Sequence, residues 1–135
     1  MDFGKIDIAK ASDQGSIMQV VDPFTGEDVD GCTMTIAGKD SSFFRDQLSQ
    51  FRKKRLNSKN KLTMSELAEA EDEAVKDATA ACVLAWTGFE WDGKPLECKI
   101  ENVKKIFQSQ EWLLTEQVLP FMKDRSNLLK KANKS

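Results

Sequence analysis

The chain has 135 residues, of which 40% are hydrophobic and 31% are charged, and its formal net charge at pH 7 is −2. This length predicts one domain, and so small a net charge excludes a strong overall attraction to nucleic acid or to acidic surfaces. No histidine is present, so the commonest general base and metal ligand is missing; we predict a protein that is not an enzyme and uses neither a cofactor nor a metal.

The cysteines and the apolar segments indicate where the protein works. Cys32, Cys82 and Cys98 are odd in number and widely spaced, which is a poor disulfide framework and favours a reducing compartment. No apolar run approaches the roughly 20 residues that span a bilayer, and the N-terminus lacks a signal-peptide core. We therefore expect a cytoplasmic protein with no membrane partner.

The N-terminal part of the sequence predicts an arm followed by a hairpin. Residues 1–15 are polar and weakly patterned, which favours a flexible arm. Residues 16–37 favour a β-hairpin, because Pro23 presets one backbone angle of the turn and Gly26 permits a positive one. The apolar face of the return strand consists of Cys32, Met34 and Ile36. A lone hairpin is marginally stable in water, so we expect it to pack on helices or to pair with another chain.

Two helices are predicted next along the chain. The first covers 42–57, and its apolar stripe at helical spacing is expected to face the core; the stripe consists of Phe44, Leu48 and Phe51. The second covers 63–87, because Thr63 and Glu66 match a capping box and Gly88 is a typical helix terminator. Its second half is apolar nearly all round, which places it at the centre of the predicted core.

The C-terminal part predicts two more helices, over 100–108 and 110–129. Pro120 lacks a backbone donor and is expected to kink or break the last helix near Val118. Residues 130–135 are expected to be disordered. Together these elements predict a mainly α fold, in which a small N-terminal β-hairpin packs on a bundle of about four helices within a single domain of residues 16–129.

Two charged segments of opposite sign are the strongest local charge signal. The basic segment comprises Arg45, Arg52, Lys53, Lys54, Arg55, Lys59 and Lys61, and the acidic segment comprises Glu66, Glu69, Glu71, Asp72, Glu73 and Asp77. We favour an interpretation in which the two helices complement each other, within one chain or between subunits. A phosphate-contacting helix and an acidic protein partner are the alternatives.

The aromatic side chains of the C-terminal half, which include Trp86, Trp91 and Trp112, belong either to the core or to an interface. Trp91 is the best candidate for an exposed interface anchor, because its neighbours predict a surface turn. The predicted partner-binding residues are therefore Arg52, Lys53, Lys54, Arg55, Glu69, Glu73 and Trp91.

Several short motifs of the sequence form one pattern. A predicted helix ends in Trp-x-Gly, a Gly-x-Pro turn follows, and a terminal helix carries an aromatic residue before a basic–polar–Asn–apolar ending. The positions in this pattern are 83–89, 93–96, 101–103, 112–116, Phe121, 124–125 and 127–128, together with the turn at 23–27 and Asp40–Ser41. The pattern resembles that of the tail assembly chaperones of long-tailed bacteriophages, and the resemblance covers most of residues 16–129.

The resemblance implies a mostly helical protein that self-associates and coats the tape measure protein before the tail tube protein polymerises around it. It further implies a protein of the host cytoplasm that is lost from the finished virion, and many members are also made in a longer, frameshifted form. Two alternatives remain: a structural component of the tail or of the head–tail connector, and a small nucleic-acid-binding protein suggested by the basic segment 45–61.

Overall fold

A mixed α/β fold, rather than a mainly helical one, is seen in the computed structural model, which describes residue 4 and residues 7–56 and 62–124. The helices are α1 (Ile8–Gln14), α2 (Ser42–Leu56), α3 (Met64–Ala81), α4 (Ile100–Ser109) and α5 (Leu119–Lys123), with a π-helical segment at Leu113–Val118. The strands are β1 (Ser16–Val21), β2 (Asp28–Ile36), β3 (Val83–Thr87), β4 (Glu90–Trp91) and β5 (Lys94–Pro95). The predicted tail 130–135 lies outside the described residues, as do residues 125–129 of the last predicted helix.

The prediction of a mainly α fold is wrong because the predicted helix 63–87 is a helix followed by a strand. Helix α3 ends at Ala81, and Val83–Thr87 forms β3, which pairs antiparallel with β2. A short apolar run such as this cannot be assigned by periodicity alone, and its Val, Trp and Thr residues favour a strand once a neighbouring strand is present. Thus β3 completes a three-stranded sheet with the order β1-β2-β3.

The predicted hairpin is confirmed, and its buried face supplies much of the core. Strands β1 and β2 pair antiparallel, with Met18 opposite Met34 and Ser16 opposite Ile36. Met34 and Ile36 are fully buried, and Met18 is nearly so. The remaining core side chains come from the end of α3, from β3 and from the C-terminal helices, and include Val103, Phe107, Leu114, Val118 and Met122.

Residues 8–14 of the predicted flexible arm form helix α1 instead. Asp7 caps this helix, because its side chain accepts a hydrogen bond from the backbone N–H of Lys10. Asp13 then caps α2 from a distance: its Oδ1 accepts bonds from the backbone N of Ser42 at 2.6 Å and from Ser42 Oγ at 3.0 Å. The start of α2 is therefore held by a carboxylate that local sequence patterns do not reveal.

Near Pro120 the last helix changes its hydrogen-bond pattern. The backbone N–H of Leu119 bonds the carbonyl of Leu114, five residues earlier, as in a π-helix. Pro120 follows as the second residue of α5, which continues directly from the π-helical segment, and its ring nitrogen has no hydrogen to donate to the preceding turn. The side chain of Gln117 leaves this segment and closes the edge of β1, because it accepts from Val21 N at 2.9 Å and donates to Val21 O at 2.7 Å.

The predicted aromatic-rich turn is a small two-stranded sheet of β4 and β5. Asp92 and Gly93 join the strands, and both have a positive φ, as tight hairpin turns require. Across the described part of the chain, no helix has the length and apolar character needed to cross a membrane.

Candidate protein-binding surface

Within the described residues of the helix pair α2–α3, buried side chains are confined to the second half of α3, and the apolar stripe of α2 is less buried than its sequence pattern predicts. From residue 42 to residue 55, α2 contains no buried side chain, and the predicted core stripe of Phe44, Leu48 and Phe51 is only half-buried. In α3 the first buried residue is Ala74, ten residues after the helix begins. This pair therefore presents a partly exposed apolar stripe between charged side chains, which is a typical feature of protein-binding surfaces.

A groove of about 310 Å³ lies between α2 and α3. Its apolar lining comes from Phe51, Ala70 and Ala74, and the small alanine side chains leave room for another chain to approach. The charged rim is asymmetric, with Lys54 on the α2 side and Glu73 and Asp77 on the α3 side; Gln47 and Gln50 complete the lining. An apolar stripe between charged rims is the arrangement that receives an amphipathic helix.

A second cleft, of about 350 Å³, lies on the other side of α3 and is shared with α4. Ala80 and Phe107 supply its apolar part, and Glu73 and Asp77 line this cleft as well as the groove. Lys76 Nζ lies 3.6 Å from Glu111 and 3.9 Å from both Asp72 and Glu73, and Lys104 Nζ lies 3.8 Å from Asp77. Such exposed pairs add little stability, so they chiefly position the charges of the rim.

The four predicted basic residues all lie on the exposed surface of α2, but they are not equivalent. Arg55 Nη1 lies 3.2 Å from Glu71 Oε1 and links the two helices. Within the described segments, Arg52, Lys53 and Lys54 form no ion pair. Among the described residues, the predicted charge complementarity between α2 and α3 is thus met by one ion pair, and Arg52, Lys53 and Lys54 have no ion-pair partner there.

The two predicted acidic partner-binding residues also differ. Glu69 is exposed and has no ion-pair partner in the described segments, whereas Glu73 interacts with Lys76 and lines both cavities. The structure therefore brings Glu73 next to the groove together with Lys54, and places Glu69 nearer the start of α3.

Trp91, the predicted exposed anchor, is half-buried in β4 and packs against the core. Lys105 Nζ lies 4.1 Å from the centre of its ring, in a cation–π contact. Trp91 is therefore a covered part of the fold in this structure and lies apart from the groove. The sequence around Trp91 could not predict that its ring is covered, because the covering side chain, Lys105, comes from α4.

Side-chain packing and backbone conformation explain why Trp86 and Gly88 occupy the Trp-x-Gly motif. Trp86 stacks on Phe89 with the ring centres 4.5 Å apart, and its indole nitrogen donates to the carbonyl of Leu96 at 2.8 Å. Gly88 has φ +74°, and a Cβ at this position would lie 2.5 Å from the carbonyl oxygen of Gly31. The motif thus marks the end of β3 and its contact with β2, not a helix terminus.

Sequence reasoning missed the exposed apolar residues at the start of α3. Thr63 caps this helix as predicted, with its Oγ1 accepting from the backbone N of Glu66 at 3.1 Å. Met64, the first residue of the helix, is 84% exposed, and Leu62 is 45% exposed. An apolar residue directly after a capping Thr is the available signal, since the first turn of a helix is often polar.

All three thiols of the chain are at least partly buried, which favours their protonated form. Burial raises the pKa of Cys82 to about 11, and its hydrogen bond with Ser41 lowers this pKa by more than the charge of Asp13 raises it. Burial also raises the pKa of Cys32 and of Cys98. Reactive cysteines need the opposite shift. In the segments that the structure describes, no three Cys, Asp or Glu side chains are grouped to hold a metal ion.

Comparisons of the chain with protein-family models, with curated proteins and with solved structures find no match. We therefore argue function from the surface of α2, α3 and α4 and from the motifs of the C-terminal half.

Proposed function

We propose that this protein is a tail assembly chaperone of a long-tailed bacteriophage, which self-associates and binds the tape measure protein in the host cytoplasm. It keeps that protein soluble until the tail tube protein polymerises around it, and it is then displaced and absent from the virion. The motif resemblance supports the choice of this family. The single observation that carries the proposal is the half-buried apolar groove between α2 and α3, with its charged rims.

The groove suits this task because of what a tape measure protein is. It is a long helical chain, and its apolar faces aggregate when they are exposed to water. A groove lined by Phe51, Ala70 and Ala74 covers one such face, and the charged rims at Lys54 and Glu73 keep the complex soluble. Because the groove is shallow and partly polar, its affinity is modest, and tube subunits are able to displace the chaperone.

Co-expression with the tape measure protein of the same phage tests the proposal. The wild-type chain is expected to move the tape measure protein into the soluble fraction and to co-purify with it. The variant Phe51→Asp places a charge in the groove and is expected to reduce the co-purified amount by roughly tenfold or more, since an unpaired carboxylate must be desolvated. A tape measure protein that stays insoluble beside the wild-type chain would refute the proposal.

Phe43→Asp is the matched control for this experiment. Phe43 lies on the same helix, is 41% exposed and does not line the groove. It is therefore expected to leave co-purification at the wild-type level. Circular dichroism of both variants checks that α2 is still folded, and equal loss of binding in both variants would count against the groove.

Mass spectrometry of purified virions separates the chaperone from a permanent tail or connector component. A chaperone is expected to be missing from the particle, whereas a stoichiometric amount of this chain would identify a structural protein instead.

A nucleic-acid partner is the second candidate, favoured by the exposed side chains of Arg52, Lys53 and Lys54, which form no ion pair with any described residue. Phosphate binding by these residues would produce an affinity that falls steeply with salt. Gel-shift titrations at several salt concentrations test this alternative. Binding that is steeply salt-dependent and lost in Arg52→Glu/Lys53→Glu would support it.

A further inference from the structure

The groove between α2 and α3 has two walls, each formed by one face of a helix. Its lining residues recur every three or four positions on both helices: Gln47, Gln50, Phe51 and Lys54 on α2, and Ala70, Glu73, Ala74 and Asp77 on α3. Residues at this spacing share one face of a helix. Each wall is therefore roughly 10 Å long, which matches two turns of a bound helix.

The two walls run in opposite directions. Arg55 Nη1 lies 3.2 Å from Glu71 Oε1, so the end of α2 lies beside the first half of α3. Lys54 and Ala70 consequently mark one end of the groove, and Gln47 and Asp77 mark the other.

The walls also carry opposite charges. Among the described lining residues, α2 contributes Lys54, which forms no ion pair with a described residue, and α3 contributes Glu73 and Asp77. Glu73 lies 3.9 Å from Lys76 and Asp77 lies 3.8 Å from Lys104, and both lysines line the α3–α4 cleft instead of the groove. Since both carboxylates are more than half exposed, these long ion pairs are weak, and a charged ligand in the groove is able to compete for them.

We propose that the groove selects an amphipathic helix with basic side chains along one edge of its apolar face and acidic side chains along the other, and that it binds this helix in one direction. The basic edge lies against Glu73 and Asp77, and the acidic edge lies against Lys54. The apolar face, with side chains at helical spacing, covers the floor of the groove. Turning the helix end over end exchanges its two edges and places like charges opposite each other, which lowers the affinity.

Charge complementarity identifies this occupant. A nucleic acid carries negative charge along its whole length and would be repelled by the two carboxylates of the α3 wall. A uniformly basic helix would place cations against Lys54, and a uniformly acidic helix would place carboxylates against Glu73 and Asp77. A helix with oppositely charged edges satisfies both walls at once.

This inference rests on the proposed function, because it states which kind of cargo helix the chaperone binds and in which direction. The experiments below use the purified chain with synthetic peptides and no phage protein. Their failure would remove the selectivity and the direction of binding. Co-expression with the tape measure protein would still test the proposed function, so the two failures are distinguishable.

Fluorescence anisotropy with three labelled helical peptides of equal length tests the selectivity. All three have the same stripe of leucine and alanine, and they carry lysine on one edge and glutamate on the other, lysine on both edges, or glutamate on both edges. The lysine–glutamate peptide is expected to bind about threefold or more tightly than each of the other two, and salt should reduce this difference. Equal affinities, or no measurable binding of the lysine–glutamate peptide, would overturn the proposal.

Lys54→Glu makes both walls acidic and is expected to reverse the preference, so that the peptide with lysine on both edges binds best. Lys53→Glu is the matched control, because Lys53 is an exposed neighbour on the same helix that does not line the groove. It is expected to keep the wild-type preference, and an equal reversal in both variants would contradict selection by the wall. Lys54→Gln, which is expected to weaken the discrimination against the lysine–lysine peptide, provides a second test if Lys54→Glu fails to fold.

Photo-cross-linking followed by mass spectrometry tests the direction. A photoreactive group is placed at the N-terminus of the lysine–glutamate peptide and of a second peptide in which the two charged edges are exchanged. The two peptides are expected to label opposite ends of the groove, near Gln47 and Asp77 in one case and near Lys54 and Ala70 in the other. Labelling of the same end by both peptides, or of both ends by each, would overturn binding in one direction.

Discussion

Leu114 and Leu48 show how differently two regions of this molecule use the same side chain. Leu114 is 1% exposed and belongs to the buried core cluster of the sheet region, together with Val118, Met122 and Met34. Leu48 lies on α2, where the apolar stripe is only half-buried. Leu48 belongs to the apolar stripe that the sequence pattern predicts to face the core. The sheet region buries its apolar face within the chain, whereas the helix pair keeps part of that surface available for another molecule.

The difference in burial between the two regions follows from the number of layers of secondary structure that cover each of them. Strand β3 brings the end of α3 under the sheet, where α4, the π-helical segment and α5 close the core. Helix α2 contacts chiefly α3 and has no further layer above it in the described chain. Two helices that pack only on each other cannot fully cover the apolar stripes of both. The uncovered part of these stripes is therefore available for binding.

The largest expected effect compares the two leucines directly. Leu114→Ala is expected to lower the free energy of unfolding by about 3–5 kcal/mol, because it removes a fully buried side chain and leaves a cavity. Leu48→Ala is expected to cost only about 1 kcal/mol, because the side chain is only partly buried in the wild type. Urea denaturation of both variants measures the difference. Equal losses would show that the two regions are equally packed and would remove the basis of the comparison.

An intermediate effect is expected at the contact between β2 and β3. Gly88→Ala is expected to destabilise the protein by about 2–4 kcal/mol, since the new methyl group meets the carbonyl oxygen of Gly31 in addition to the strain of a positive φ. Gly26→Ala is the matched control, with the same φ of +74° and no atom within 4 Å of the added carbon. This control is expected to lower the free energy of unfolding by about 1–2 kcal/mol, which is the cost of the positive φ alone. Thermal unfolding that ranks the two variants equally would contradict the close contact.

The smallest effect is a pH dependence that reports on the sheet region alone. The pKa of buried Cys82 is raised to about 11 from its ordinary value of 9.0, so the folded state prefers the protonated thiol. This contribution is fully present below pH 9 and is lost as the pH rises through about 11. The free energy of unfolding is therefore expected to fall by about 2–3 kcal/mol over this interval.

Cys82→Ala is the control for this titration, because lysines and arginines also titrate at high pH. The stability difference between wild type and Cys82→Ala is expected to shrink between pH 9 and pH 11. A difference that stays constant would mean that the thiol is not buried in the folded state.

Local sequence patterns alone determined the parts of this protein that depend on neighbouring residues. The hairpin follows from alternation and a Pro–Gly turn, and the N-terminus of α3 follows from the cap of Thr63. The start of α2 and the position of α4 were also predicted within a residue or two, because helical periodicity is a local property. The sequence also shows directly which segments are charged and that the chain contains no histidine.

Tertiary structure decided the rest, because it depends on contacts between distant parts of the chain. The segment 83–87 became a strand only because β2 lies beside it, which no local pattern records. The same cause governs the binding surface: Lys105 covers Trp91, and Glu71 pairs with Arg55, whereas Arg52 and Lys53 form no ion pair with a described residue. Burial and ion pairing are properties of side chains brought together in space, so the residues that remain available for a partner were identified only after folding.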